Sequence, residues 1–159
     1  MLNVRCQIVV LLGAVVALGF AFFQQYVNGL HPCEMCIWQR CAYAAVILCC
    51  LLRNKWLISL ALAVEVALAV YHTGVEQHWW AGVTACSSSF AAGSLDALKA
   101  QITAAPAVRC DDIAWKFLGL SMAAWNAVYA GILLLISSSA IFCPPSAPIA
   151  QSARGRANS

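Results

Sequence analysis

The stretch His31-Pro32-Cys33-Glu34-Met35-Cys36-Ile37-Trp38-Gln39-Arg40 stands between two long apolar runs and joins them. Upstream, Gln7 to Val27 is continuous enough to cross a hydrocarbon core, which takes about 20 predominantly apolar residues. Asn28-Gly29 and His31-Pro32 supply the turn chemistry that ends that run. Downstream, a second run extends from about Cys36 to Leu52 and stops at Arg53-Asn54-Lys55, a polar triplet suited to a tight connection between antiparallel helices. The stretch therefore reads as the turn between two membrane helices, with a Cys-x-x-Cys pair at the mouth of the second.

Composition agrees with a membrane protein. Of 159 residues 63% are hydrophobic and 9% charged, against roughly half and a quarter in soluble domains. The net charge of +3 is modest and no basic run could track phosphates, so nucleic acid is not an expected partner. The apolar run from Cys6 to Phe23 exceeds the roughly 7 to 15 residues of a secretory h-region, and it is expected to stay as an uncleaved helix.

Further along, Trp56 to Thr73 reads as a third helix and Phe117 to Ile141 as a fourth. Between them, residues 74–116 form the one sizeable loop. Within it Ser94 can cap a short amphipathic helix whose Leu95, Leu98 and Ile102 make one apolar stripe, lying on the bilayer surface or packed within the loop. Pro144-Pro145 closes the fourth helix before a polar tail. The expectation is an all-α, four-transmembrane-helix bundle over residues 1–143 with two outward loops, and a disordered cytoplasmic tail over 144–159.

Four crossings put both termini on one side. Arg5, Arg53, Lys55, Arg154 and Arg156 share that side with no acid, whereas Lys99, Arg109 and Lys116 fall opposite together with Glu34, Glu76, Asp96, Asp111 and Asp112, so the positive-inside rule predicts cytoplasmic termini. Cys33, Cys36, Cys86 and Cys110 then all face outward, where disulfides form and persist. Cys6, Cys41, Cys49, Cys50 and Cys143 read as small apolar residues.

The outward four admit three readings: a pair of stabilising bridges, a four-thiolate zinc site, or thiol exchange. Zinc sites usually draw on two close-spaced pairs, whereas 23 residues separate Cys86 from Cys110, and no metal is expected. Exchange accounts better for a Cys-x-x-Cys pair at a helix N-terminus, where unpaired backbone donors and the helix dipole stabilise a thiolate, with Cys36 the better placed. Arg40 follows one turn later on the same face. An arginine in an apolar segment costs about 2.5 to 3.5 kcal/mol at the bilayer centre, which makes it a functional candidate for holding an electron-rich carbonyl ligand, with snorkelling to headgroups the alternative. His72 closes the third helix at the same depth. Glu65, near the middle of that helix, reads as a neutral hydrogen-bonded acid or a proton relay without a partner acid.

Taken together, Pro32-Cys33-x-x-Cys36-Ile37-x-x-Arg40-Cys41, Tyr71-His72-Thr73, Cys86, Cys110 and Trp115-Lys116-Phe117-Leu118-Gly119-Leu120 resemble the bacterial inner-membrane disulfide-bond formation protein B (DsbB) family. The resemblance covers about Gln7 to Ile141 and implies a thiol oxidase that passes electrons to a membrane quinone, ubiquinone or menaquinone. It implies that Cys86 accepts attack from a reduced DsbA-like periplasmic partner, that Cys110 exchanges with Cys33, and that Cys36 faces the quinone beside Arg40 and His72. Glu34 and Glu65 depart from the family pattern. A vitamin K epoxide reductase-like enzyme would carry its quinone-side pair on a late helix, whereas here the pair precedes the second. A non-enzymatic membrane scaffold or metal-binding protein with structural disulfides is the reading from a different class.

Overall fold

The computed structural model describes residues 4–82, 109–113 and 115–142. Cys86, Cys143, the expected helix around residues 94–102 and the tail from 144 lie outside the described residues. Four helices are long and apolar enough to cross a bilayer: α1 (Val4–Tyr26), α2 (Glu34–Leu51), α3 (Lys55–Glu76) and α4 (Met122–Phe142). The protein is a multi-pass membrane protein with little sheet.

Helix boundaries follow local chemistry. Cys33 is the N-cap of α2 and its sulfur accepts the Cys36 N–H at 3.3 Å, so that helix starts two residues earlier than its hydropathy suggests. Between α2 and α3, Arg53 adopts φ 57°. Asn54 then caps α3, its Oδ1 accepting from Trp56 N at 3.1 Å and Leu57 N at 3.3 Å, an arrangement generally worth about 1 kcal/mol. α3 itself continues past Thr73 to Glu76. That extra turn matters because it carries an acid to the site described below.

The start of the fourth helix differs from expectation. Residues Lys116–Phe117 (β1) and Leu120–Ser121 (β2) form a small antiparallel hairpin, with Lys116 opposite Ser121, and α4 begins only at Met122. Leu118 and Gly119 at its tip both have positive φ, 51° and 81°, the backbone of a tight hairpin turn. An apolar window cannot distinguish that turn from the first turn of a helix.

α3 is the central helix, packed against α4 and α2, while α1 lies mainly along α2. Val10, Ala14, Tyr43, Val46, Cys50, Ile58, Leu62, Ala130 and Leu133 make one buried core drawn from all four helices. Ser59 and Ser137 hydrogen bond across α3 and α4 at 2.8 Å, the kind of polar tie that membrane helices use between small residues. Leu12, Val16, Leu60, Ile132 and Leu135 are exposed, which suits a surface bathed in lipid. At the outer end of α3 the chain folds back, and Gly74 permits it: a Cβ there would sit 2.0 Å from the Trp80 ring. Trp80 stacks on Tyr71 and donates its indole N–H to the Tyr71 carbonyl at 3.0 Å.

Candidate redox site

The cap geometry of α2 positions the cysteine pair. Cys33 Sγ lies 3.0 Å from Cys36 Sγ and donates toward it, while accepting the Cys36 backbone N–H. This hydrogen bond to Cys36, reinforced by burial, pushes the Cys33 thiol up from 9.0 to about 12, against a smaller opposing pull from His72. Cys33 is thus the sulfur that keeps its proton, and it offers that proton to its neighbour.

His72 reaches the pair from α3. Its Nε2 is 3.6 Å from Cys33 Sγ, and its Nδ1 is 3.4 Å from the Gln39 carboxamide on α2. The imidazole also meets the backbone of Cys110. One turn later, Glu76 places Oε1 at 3.9 Å from His72 Nε2. Its other oxygen accepts from the Ser121 hydroxyl, which itself accepts the Ala124 N–H at 3.2 Å at the start of α4. The β-hairpin therefore holds the acid that faces the histidine.

Cys110 belongs to the same cluster. It is buried with Cys33, Met35 and Val75, and Cys36 and Tyr71 pack against this group. Flanking it, Arg109 grips Asp111 through two hydrogen bonds of 2.9 and 2.6 Å. The guanidinium holds the Asp111 carboxyl below its ordinary range. This clamp closes around Cys110, which lies buried in one cluster with Cys33.

Arg40 is close enough for its charge to act on Cys36, and its guanidinium is anchored on α1. Its guanidinium donates to the Gln25 side chain and, at 3.1 Å, to the Ala21 carbonyl of α1, with its Cζ 5.1 Å from the Phe22 ring centroid. Tied to α1 in this way, Arg40 helps wall a cavity of about 420 Å³. Cys33, Cys36, His72 and Glu76 line one part of the cavity, while Phe20, Tyr43, Met122, Asn126 and Tyr129 line others. Most of the wall surface is apolar, with polar groups such as Arg40, His72, Glu76 and Asn126 set into it, which is the usual character of a small-molecule site.

Of the six residues singled out in the sequence, the structure brings Cys33, Cys36, Cys110 and His72 into one cluster and puts Arg40 on the wall of the adjoining cavity. Cys86 lies outside the described residues. Sequence reasoning missed Gln39, Glu76 and Ser121. Two of these carried a signal: Gln39 is three residues after Cys36 and Glu76 four after His72, the spacings of a shared helical face. Ser121 carried none, because its role depends on the hairpin.

Glu65 is fully buried away from this site. Its Oε1 accepts from Asn126 Nδ2 at 2.7 Å, and the Asn126 carbonyl accepts from the Tyr43 hydroxyl at 2.7 Å. Among the described residues the hydrogen-bond partner of this acid is an amide, with the Tyr43 hydroxyl one step further on.

Comparison with known proteins accords with the thiol chemistry. The sequence matches the family described as Disulfide bond formation protein DsbB over residues 4–140. Relatives named Disulfide bond formation protein B include one from Aromatoleum aromaticum, 33% identical over 127 residues, which cover 70% of this chain and 75% of the relative. One from Xylella fastidiosa is 28% identical over 137 residues, 75% of this chain and 78% of the relative. Another, from Acinetobacter baylyi, is 28% identical over 142 residues, 79% and 82% of the two chains. With its buried cysteine cluster, its four apolar helices and a family match over nearly its whole length, the chain belongs to the DsbB family of disulfide bond formation proteins.

Proposed function

We propose that the protein is a membrane thiol:quinone oxidoreductase that re-oxidises a periplasmic DsbA-like dithiol oxidase and delivers the electrons to ubiquinone or menaquinone. The observation that carries this reading is the cysteine pair opening onto an apolar cavity between membrane helices, with a third cysteine packed behind it. An apolar wall suits a ring and an isoprenoid chain, and Arg40 offers guanidinium N–H groups suited to a carbonyl oxygen. A bound quinone would supply a two-electron sink within the bilayer.

The protein's own residues would act in sequence by thiol–disulfide exchange. A thiolate of the partner attacks Cys86 of a Cys86–Cys110 disulfide, and the second partner thiol resolves the mixed disulfide. Cys110, released as a thiolate, attacks Cys33 of a Cys33–Cys36 disulfide and frees Cys36 as the leaving thiolate at the cavity. In the structure, Cys110 packs with Cys33, and Cys36 lines the cavity. Cys86, freed when the partner disulfide closes, then attacks Cys110 of the Cys33–Cys110 mixed disulfide, which restores Cys86–Cys110 and releases Cys33, so both sulfurs of the α2 pair end reduced and two electrons with two protons leave for the acceptor. A strong dithiol oxidant requires a still stronger acceptor, since each 30 mV of mismatch costs about 1.4 kcal/mol for a two-electron couple. This function places the chain in the bacterial inner membrane with cytoplasmic termini and redox loops in the periplasm.

The test mixes purified protein with a reduced DsbA-like partner and ubiquinone or menaquinone, and follows quinone absorbance. One quinone consumed per partner dithiol oxidised is the expected result. No loss of absorbance with either quinone, while the partner dithiol still exchanges with the protein, would remove the quinone from the scheme.

A further inference from the structure

We propose that Cys33, Cys36 and His72, once the cysteine pair is reduced, form a binding site for a zinc-class divalent cation that holds the pair in its dithiol state. The two sulfurs and an imidazole nitrogen all lie within 4.8 Å of one another. A tetrahedral zinc with bonds of about 2.3 Å to sulfur and about 2.0 Å to nitrogen spaces sulfur and nitrogen about 3.5 Å apart, and two sulfurs about 3.8 Å apart. The observed Cys33–His72 separation of 3.6 Å already fits. The two sulfurs, at 3.0 Å, must part by roughly 0.8 Å to meet that tetrahedral spacing, which small side-chain rotations provide.

The surroundings complete the site. A ligating histidine ordinarily donates its other ring N–H to a nearby acceptor that fixes its orientation. The Gln39 carboxamide occupies that place at Nδ1, and turning it over presents its oxygen. The fourth position falls to water or to Glu76, whose Oε1 is 3.9 Å from His72 Nε2 and whose other oxygen Ser121 holds. Three protein ligands with one place left over describe an exchangeable site more than a closed structural one. The ligand set, two thiols and an imidazole, is also distinct from the four-thiolate arrangement that the cysteine spacing disfavours.

Binding moves no electrons. Two S–H bonds become two sulfur–metal bonds and two protons are released. A disulfide cannot supply those ligands, so metal and oxidation exclude each other. With both sulfurs captured, neither can attack a disulfide or pass electrons on, and the metal acts as a brake that engages only on the reduced protein. This inference depends on the reducible pair and is independent of which acceptor serves it.

The experiment titrates the full-length detergent-solubilised protein, reduced with a phosphine and desalted anaerobically, with cobalt and then zinc. The reduced protein should take up one cobalt per chain with the absorption bands of a tetrahedral thiolate site, and zinc should displace it. The oxidised protein should show no such bands. Affinity measured against a chromogenic chelator should fall at least about 100-fold in Cys33→Ser, Cys36→Ser and His72→Ala, each of which loses a direct ligand where loss of an outer-shell partner alone costs about 10- to 100-fold, and should hold in Cys41→Ser. Equal uptake by reduced and oxidised protein would overturn the proposal without recourse to any variant, as would unchanged cobalt bands in His72→Ala. Because the titration contains no quinone and no partner, failure of the oxidase assay leaves its outcome interpretable.

Discussion

Helix α3 buries two carboxyl groups, Glu65 and Glu76, in surroundings that differ in kind. Glu76 stands at the outer end, bound by Ser121 and facing His72, which in turn faces the Cys33 sulfur. Glu65 is at mid-helix with no exposed surface, linked through Asn126 to Tyr43, and its second oxygen has no partner among the described residues. One chain of polar contacts ends at a sulfur, and the other ends at Asn126 and Tyr43, which tie two helices together on a more distant part of the cavity wall. A buried acid in a membrane segment is therefore not by itself a sign of chemistry; what its neighbours lead to decides.

The largest effect should come from the chain that ends at sulfur. Cys33→Ala removes the α2 cap, the His72 contact and the exchange partner together, and turnover of a reduced dithiol partner with quinone should drop at least about 1000-fold. If Asn126→Ala, on the inner chain, caused an equal loss in a folded protein, the distinction between the two acids would collapse. A second effect is in titration. In reduced, metal-free protein, alkylation of Cys33 followed by mass spectrometry should stay low until the pH nears about 12, and Cys36→Ala should return it toward 9.0, because the bond to Cys36 is the foremost cause of the rise. The sign for stability follows: the folded chain keeps a proton that the unfolded chain loses near 9.0. Cys33 therefore favours folding below that pH, and the contribution fades as pH climbs to about 12.

Smaller effects sharpen the inner chain and the cavity wall. Asn126→Ala strips Glu65 and Tyr43 of a shared partner and should cost about 1 to 3 kcal/mol, read as a lower midpoint of thermal unfolding, while the rate of thiol exchange with the partner holds. Arg40→Ala should raise the quinone concentration needed for half-maximal turnover about tenfold, equivalent to about 1.4 kcal/mol, with the partner dependence unchanged. An unchanged quinone dependence would make Arg40 a tie between α1 and α2, given its bonds to Gln25 and Ala21.

The four spans were legible because lipid demands about 20 apolar residues in a row, and that demand overrides finer propensities. The hairpin was not, since Leu118 and Gly119 reverse the chain inside an apolar window. At the site, the residue types at Cys33, Cys36, Arg40 and His72 announced themselves by being costly or reactive where they stand. Their distances did not, because the register between α2 and α3 is set by packing at Val46, Cys50, Ile58 and Leu62, and hydropathy is blind to register. Arg40 is the instructive case. Its position on α2 suggested company with the cysteines, and it lines the same cavity as Cys36, but the anchoring bond to the Ala21 carbonyl of α1 depends on packing that hydropathy does not show.

The depth at which the cluster lies has one more consequence. Cys33 is 6% exposed and Cys110 1%, so a rigid globular visitor cannot bring a sulfur to either. Access is filtered by shape before chemistry begins: a thiol on a folded surface meets the covering chain before it meets either sulfur. Such burial favours a small molecule arriving through the cavity, which Cys33 and Cys36 both line, over a bulky protein surface.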